Sequence, residues 1–440
     1  MNVLSLAWKG LRQRRLATAL TAFSTALGVG LVVAVGAVRS GARTAFDDAA
    51  RGYDVVLSGP KTTALSATMN ALFHVDKPVD TMPVEAWLDA RKDPRVLHAV
   101  PIAVGDVYRG FRVVGTRADL FDAIPDADGR PLRERVAPGG RLFADDGGFE
   151  AVVGAYAAAR TGLAVGASFT VTHGLEDGGH AHDEQWKVVG VLEPTGTPND
   201  RAVFITLSSF FHVKGHDRPK APGAPDDHDH DHDHDEGGMH EGGAAPDDER
   251  ARLLGDEVWA LSTVVVRLKS PAFRFQFAGD WNRRRDCSAA VPSQEIRRLF
   301  EIVQGVDGLL RAVGATVLLV AVLSVLASLW NAVQGRRREI ALLRALGARR
   351  AHVFAVVVLE AVLVCALGGV AGVAFGHVGV AAAAPWLLAE VGIRIATGFL
   401  PAAVYGGIAG GLLLLGLVAG ALPAWRAYRV PVARHLHPVD

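Results

Sequence analysis

"LATALTAFSTALGVGLVVAVGAV", residues Leu16 to Val38, carries no charged side chain from end to end. A helix needs roughly 20 apolar residues to cross a hydrocarbon core. Three further stretches reach that length: about Ala312 to Val333, about Val353 to Phe375 and about Leu400 to Trp425. Any one of them could be a buried helix of a soluble protein. Four, this long and this poor in charge, predict four transmembrane helices. The first is read as a retained span. Its apolar run exceeds the roughly 7–15 residues of a signal-peptide core, and no A-x-A site closes it cleanly.

Charge placement orients these spans. Lys9, Arg12, Arg14 and Arg15 precede the first, while Arg336, Arg337, Arg338, Arg344, Arg349 and Arg350 lie between the second and third. Arg426, Arg429 and Arg434 follow the fourth. The positive-inside rule makes all three groups cytoplasmic. The expected topology is N-in and C-in across a bacterial inner membrane. Residues of roughly 40 to 305 then lie outside, with a short second external loop near 378–399. The chain's 440 residues suit two or three domains, and its 46 basic and 46 acidic side chains cancel. Aromatic residues are few and do not interleave with basic ones, which excludes a nucleic-acid surface. Cys287, in a polar region, and Cys365, in an apolar run, imply no disulfide framework.

The expected layout is residues 1–40 as an amphipathic helix and first span, 41–305 as an α+β extracytoplasmic domain, and 306–440 as the remaining spans and tail. "VLHAV", "FRVVGT", "EAVVGAYAA", "SFTVTHG", "WKVVGVLE" and "RAVFITL" read as β-rich runs parted by Gly, Pro and Asp. "DTMPVEAWLDARKD" reads as a short helix, with Pro83 in its first turn. "VPSQEIRRLFEIVQGVDGLLRAV" has a capping-like Ser293 and helical apolar spacing, so it is expected to rise directly into the second span. The two flanking helices would then form a stalk. Residues 215–255, rich in Pro, Gly, Asp and His, are expected to be a disordered insert after the strand "RAVFITLSSFF".

The most specific stretch is "RRREIALLRALGARR", Arg336 to Arg350. Its composition suits an amphipathic cytoplasmic helix closed by Gly347, although a basic loop obeying the charge rule would also fit. After a transmembrane helix, Arg-x-x-Glu-Ile-x-Leu-x-Arg-Ala-Leu-Gly-Ala resembles the signature of the MacB/LolC/FtsX permeases of mechanotransmitting ABC systems. The resemblance extends to "AWKGLRQRRLATALTAFSTALGVG", to "EAVVGAYAAARTGLAVGASFTV" with "WKVVGVLEPTGTPNDRAVFITL", to "LEAVLVCALGGVAGVAFG" and to "LPAWRAYRVPVARHLH". It implies a MacB-like periplasmic core and a non-catalytic permease that dimerises with a second copy or a paralogue. Each copy would dock on an ABC ATPase of the LolD or MacB type, and that partner would bind the ATP. Arg338, Glu339, Leu342, Leu343, Arg344, Leu346 and Gly347 are the expected ATPase-coupling residues. No G-x-x-x-x-G-K-[ST] phosphate cradle occurs in the sequence, so it resembles the unfused LolC-type arrangement.

Two features lie beyond that resemblance. Glu360 falls within the third span, where an ionisable group is a functional candidate unless it serves a structural hydrogen bond. "DDHDHDHDHDEGGMHE", residues 226–241, offers His228, His230, His232, His234 and His240, alternating with or followed by carboxylates. Imidazole and carboxylate suit zinc ahead of copper or nickel, and a solvated spacer is the rival. A second cluster, "THGLEDGGHAHDE", adds His173, His180 and His182, and His212 and His216 border the insert. No H-E-x-x-H or fixed four-ligand spacing is present, so a catalytic metal centre or a closed structural site has little support. The expected function is a transport permease linked to zinc homeostasis or to lipoprotein or peptide export, with a periplasmic lipoprotein or metal-binding protein as partner. The alternative is an FtsX-like regulator of a periplasmic enzyme such as a cell-wall hydrolase.

Overall fold

The short apolar runs of the long insertion pair into one sheet that is covered on both faces. The computed structural model describes residues 3–75, 79–174, 182–213, 260–335, 349–391 and 398–428. The chain divides into two units: Met1–Thr44 with Glu301–Glu390 and Ile395–Asp440, and Ala45–Phe300 with Val391–Arg394.

The strands of the second unit are β1 (Val55–Ser58), β2 (Met82–Pro83), β3 (Val96–Tyr108), β4 (Phe111–Thr116), β5 (Glu150–Val153) and β6 (Ser168–Phe169). They continue with β7 (Thr172–His173), β8 (Trp186–Val191), β9 (Val203–Thr206), β10 (Ala260–Leu261), β11 (Thr263–Leu268) and β12 (Ser288–Ala290). Among the described residues one mixed sheet runs β12-β1-β11-β3-β4-β9-β5-β8-β6, with β7 on β3, and β10 pairs β2 apart from it. Successive side chains of a strand point to opposite faces. Val55, Leu57, Val113, Val203 and Ile205 therefore join one buried cluster with Trp87, while Val56, Val114 and Phe204 join another with Leu72 and Phe121. Burial on both faces explains why these strands read as apolar runs rather than alternating ones. Trp87, on the helix Val84–Lys92, anchors one layer by donating its indole N–H to the Ala99 carbonyl at 2.9 Å. The other layer holds the helix Ala64–Phe73, whose first turn is capped by Thr63 accepting from the Ser66 amide.

Several sequence expectations need correction. Pro83 caps the helix Val84–Lys92 instead of entering its first turn. β5 stops at Val153, and the Ala-rich remainder of "EAVVGAYAA" belongs to a helix, Ala155–Thr161, because alanine favours helix over strand. "SFTVTHG" splits into β6 and β7, which pair β8 and β3 respectively. "LSSFFH" is a helix, Leu207–His212, because the Thr206 hydroxyl accepts from the Ser209 amide and caps it. Cys287 is buried despite its polar neighbours, and both cysteines are free. Burial pushes the Cys287 thiol up to about 12.

In the other unit, three helices among the described residues are long and apolar enough to cross a membrane: Arg15–Ala49, Ala351–Leu387 and Ala402–Trp425. The remaining apolar stretch, Ala312–Ser328, is a shorter part of one 44-residue helix, Pro292–Gly335. That helix begins at Pro292, so Ser293 lies within its first turn rather than before it. The external loop expected near 378–399 is helical as far as Val391, since the helix Arg350–Val391 continues through the run Ala381–Ala384 and Pro385. Small residues bring two helices close. A Cβ on Gly372 would sit 2.6 Å from the Ala26 carbonyl, and one on Gly376 would sit 2.7 Å from Val33 Cβ. Among the described residues, nothing lies within 4 Å of where a Cβ would stand on Gly406, Gly407, Gly410 or Gly411.

Candidate functional site

The sheet domain gathers three ligand-type side chains from different chain positions. β3 pairs β4 regularly through Val104, and the register then shifts before Val107. Such a bulge re-aims side chains. Gly105 and Asp106 lie at this irregularity, and Asp106 pairs instead with His173 of β7. Gly174, at φ +89°, then turns the chain off the strand while its amide donates to the Gly105 carbonyl at 3.1 Å. That left-handed conformation strains any residue with a Cβ. The chain returns at His182, whose amide donates to the Val171 carbonyl at 3.0 Å.

These three backbone anchors converge the side chains. His173 Nδ1 lies 3.2 Å from Asp106 Oδ1, and His182 Nε2 lies 3.5 Å from the same oxygen. One ligand atom from each of the three falls within 4.8 Å of the others. The imidazole rings stand nearly perpendicular, with centroids 5.7 Å apart. Asp106 is fully buried, whereas the His173 side chain is 49% exposed. A buried carboxylate needs hydrogen-bond donors or a cation beside it, and the two imidazoles can donate to it or help to hold that cation.

The other expected metal ligands are distributed as follows. His180, His216, His228, His230, His232, His234 and His240 lie outside the described residues. His212 sits apart on its own helix, with Nδ1 2.6 Å from the Ser208 carbonyl. Of the expected coupling residues, Arg338, Glu339, Leu342, Leu343, Arg344, Leu346 and Gly347 all lie outside the described residues. Glu360 is buried and lines a small cavity with Arg14, Thr18, Thr21 and Ser328, a polar spot in an apolar unit. Asp106 is the site residue that the sequence motifs miss. Its one signal is a Gly-Asp pair inside an apolar strand pattern, which marks a bulge.

A second histidine of this domain has a different setting. His74 caps the helix Ala64–Phe73 at φ +53° and places Nε2 3.1 Å from Asn199 Oδ1. Burial holds its pKa down at about 4, the nearby Arg112 charge adds to this, and the Asn199 hydrogen bond opposes it. Burial also raises the pKa of Tyr53, which shares the Asn199 contact.

Comparison with known proteins matches this architecture. The family described as MacB-like periplasmic core domain matches residues 18–272, and the FtsX-like permease C-terminal family matches residues 311–432. The chain belongs to the MacB/FtsX-type permeases of ABC transporters. It is 36% identical over 155 residues to the macrolide export ATP-binding/permease protein MacB of Hyphomonas neptunium, a stretch covering 35% of this chain and 22% of that protein. The crystal structure of the periplasmic region of MacB from Actinobacillus actinomycetemcomitans aligns with TM-score 0.31 and 10% identity, covering 57% of this chain and 95% of that one.

Proposed function

We propose that this chain is the permease subunit of a mechanotransmitting ABC complex, in which a separate ATPase moves the extracytoplasmic sheet domain. The observation that carries the reading is helix continuity. The helix Arg15–Ala49 runs unbroken past Thr44, where the apolar unit ends, and Pro292–Gly335 runs unbroken past Glu301, where it resumes. Coupling between distant sites is carried by rigid elements of this kind, whereas a flexible linker would absorb the displacement. In this reading Ala312–Ser328 belongs to a fourth span, both termini are cytoplasmic, and two permease copies sit on two ATPases. The segment containing Arg338, Glu339, Leu342, Leu343, Arg344, Leu346 and Gly347 receives the stroke. The His-rich segment links that stroke to metal homeostasis, zinc foremost, with lipoprotein or peptide export as the other cargo class.

The test is ATP hydrolysis by a LolD-type ATPase reconstituted with the full chain. Leu343→Asp should abolish stimulation, because it puts a charge in an apolar contact. Three glycines inserted after Thr44 should leave hydrolysis intact yet remove any ATP-dependent change in hydrogen exchange over residues 96–116. Equal ATP-dependent exchange changes with and without the insertion would overturn the stalk mechanism.

A further inference from the structure

We propose that Asp106, His173 and His182 form a zinc(II) site. The proposal rests on the metal-linked part of the reading above and assigns that role to residues inside the folded sheet. Zinc is held at roughly 2.0–2.1 Å by nitrogen and oxygen ligands in a tetrahedron, so its ligand atoms stand roughly 3.3 Å apart. The separations of 3.2 and 3.5 Å between the imidazole nitrogens and Asp106 Oδ1 match that edge. The three ligand atoms lie within 4.8 Å of one another, and His173, half exposed, is the side chain whose rotation closes the third edge.

The donor set also narrows the ion. Two imidazoles and a carboxylate are borderline ligands that suit zinc, as they do iron(II), copper(II) and nickel(II), over harder or softer ions. Calcium and magnesium take all-oxygen shells, and copper(I) takes sulfur, which this cluster lacks. The scaffold is built before the ion arrives: a bulge aims Asp106, strand pairing fixes His173, and a hydrogen bond to Val171 fixes His182. The ion therefore clips the returning segment at His182 onto β3.

The experiment uses the full-length chain in detergent, with His228, His230, His232, His234 and His240 replaced by serine so that the His-rich run contributes nothing. Zinc is titrated against a competing chelator, and cobalt(II) serves as the spectroscopic probe. One zinc per chain is expected, with the visible bands of tetrahedral cobalt and no competition from calcium or magnesium. His173→Gln and His182→Gln should each weaken zinc by at least about tenfold, since even the loss of an outer-shell partner costs about 10–100-fold. Asp106 is buried, so Asp106→Asn is read only alongside His173→Gln, whose unfolding in chelator should match the parent. Unchanged zinc affinity in both histidine variants, or six-coordinate cobalt bands, would sink the site. These titrations need no ATPase, so failure of the site and failure of the permease mechanism are read separately.

Discussion

His74 and the pair His173 and His182 occupy the same sheet domain yet are put to opposite uses. His74 meets a neutral amide, Asn199, and packs edge-on against Phe204 with ring centroids 6.0 Å apart. Its Nδ1 makes no hydrogen bond among the described residues, so a proton on Nε2 donates to Asn199 and a second proton would find no acceptor. His173 and His182 meet a buried carboxylate instead, and His173 is open to solvent. The contrast shows what decides a histidine's role. A neutral partner in a sealed pocket makes it a structural pin that must stay uncharged. A charged partner at an open rim makes it a place for a cation.

The largest test of that contrast is acid. The folded-state pKa of His74 is held at about 4 against about 6.5 unfolded. As pH falls through that window the unfolded chain takes up a proton that the folded chain refuses, so stability present above pH 6.5 is lost toward pH 4. The full loss is roughly 3 kcal/mol. His74→Asn tolerates the left-handed backbone and carries no group that titrates in this range, so it should flatten this limb. Hydrogen exchange of β9 in the intact chain, followed from pH 7 to pH 4, reads the effect locally. An acid limb of equal size in the variant would break the contrast on the His74 side.

Zinc tests the other side. With free zinc at about 100 times its Kd, the domain should gain about 2.7 kcal/mol against unfolding. His182→Gln should lose that gain, and His74→Asn should keep it. Thermal unfolding with and without chelator measures both. A zinc response that follows His74 rather than His182 would invert the assignment.

Much of this was legible in the sequence, and the reasons for the rest are physical. Apolar length announced the membrane helices, and the strands β4, β8 and β9 fell within apolar runs, while the run "VLHAV" marked only the start of β3. The Ala-rich "AYAAA" and the "LSSFF" segment were absorbed into neighbouring strands, although Gly154 and Thr206 begin helices there. Local propensity carries such boundaries only when the cap residue is given its weight. His182 and His173 stood out because histidine is conspicuous. Asp106 did not, because a carboxylate is common and its partner lies 67 positions away, joined to it only by the register of β3 and β7. Sequence spacing does not report a bulge that turns one side chain out of line.

A partly buried carboxylate supplies the smallest test and carries the opposite sign. Asp119 precedes the short helix Leu120–Ala123 yet makes no side-chain capping bond. Asp145 accepts from the nearby Ala118 amide at 2.7 Å and pairs Arg117 at 2.5 Å. Burial raises the Asp119 carboxyl to about 6, with Arg117 pulling it down and Asp145 pushing it up. Between about pH 4 and pH 6 the folded chain keeps a proton that the unfolded chain has lost, so stability falls as pH rises through that window. Asp119→Asn should therefore stabilise the domain above pH 6, by about 1–2 kcal/mol after allowing for partial solvent screening, and change nothing below pH 4. Because this limb runs against that of His74, the wild-type profile between pH 4 and 6 should be shallower than either group alone would give. Combining Asp119→Asn with wild-type His74 should steepen the acid limb. If the single variant instead loses stability at pH 7, Asp119 is a needed partner there and not a partly buried charge held at a cost.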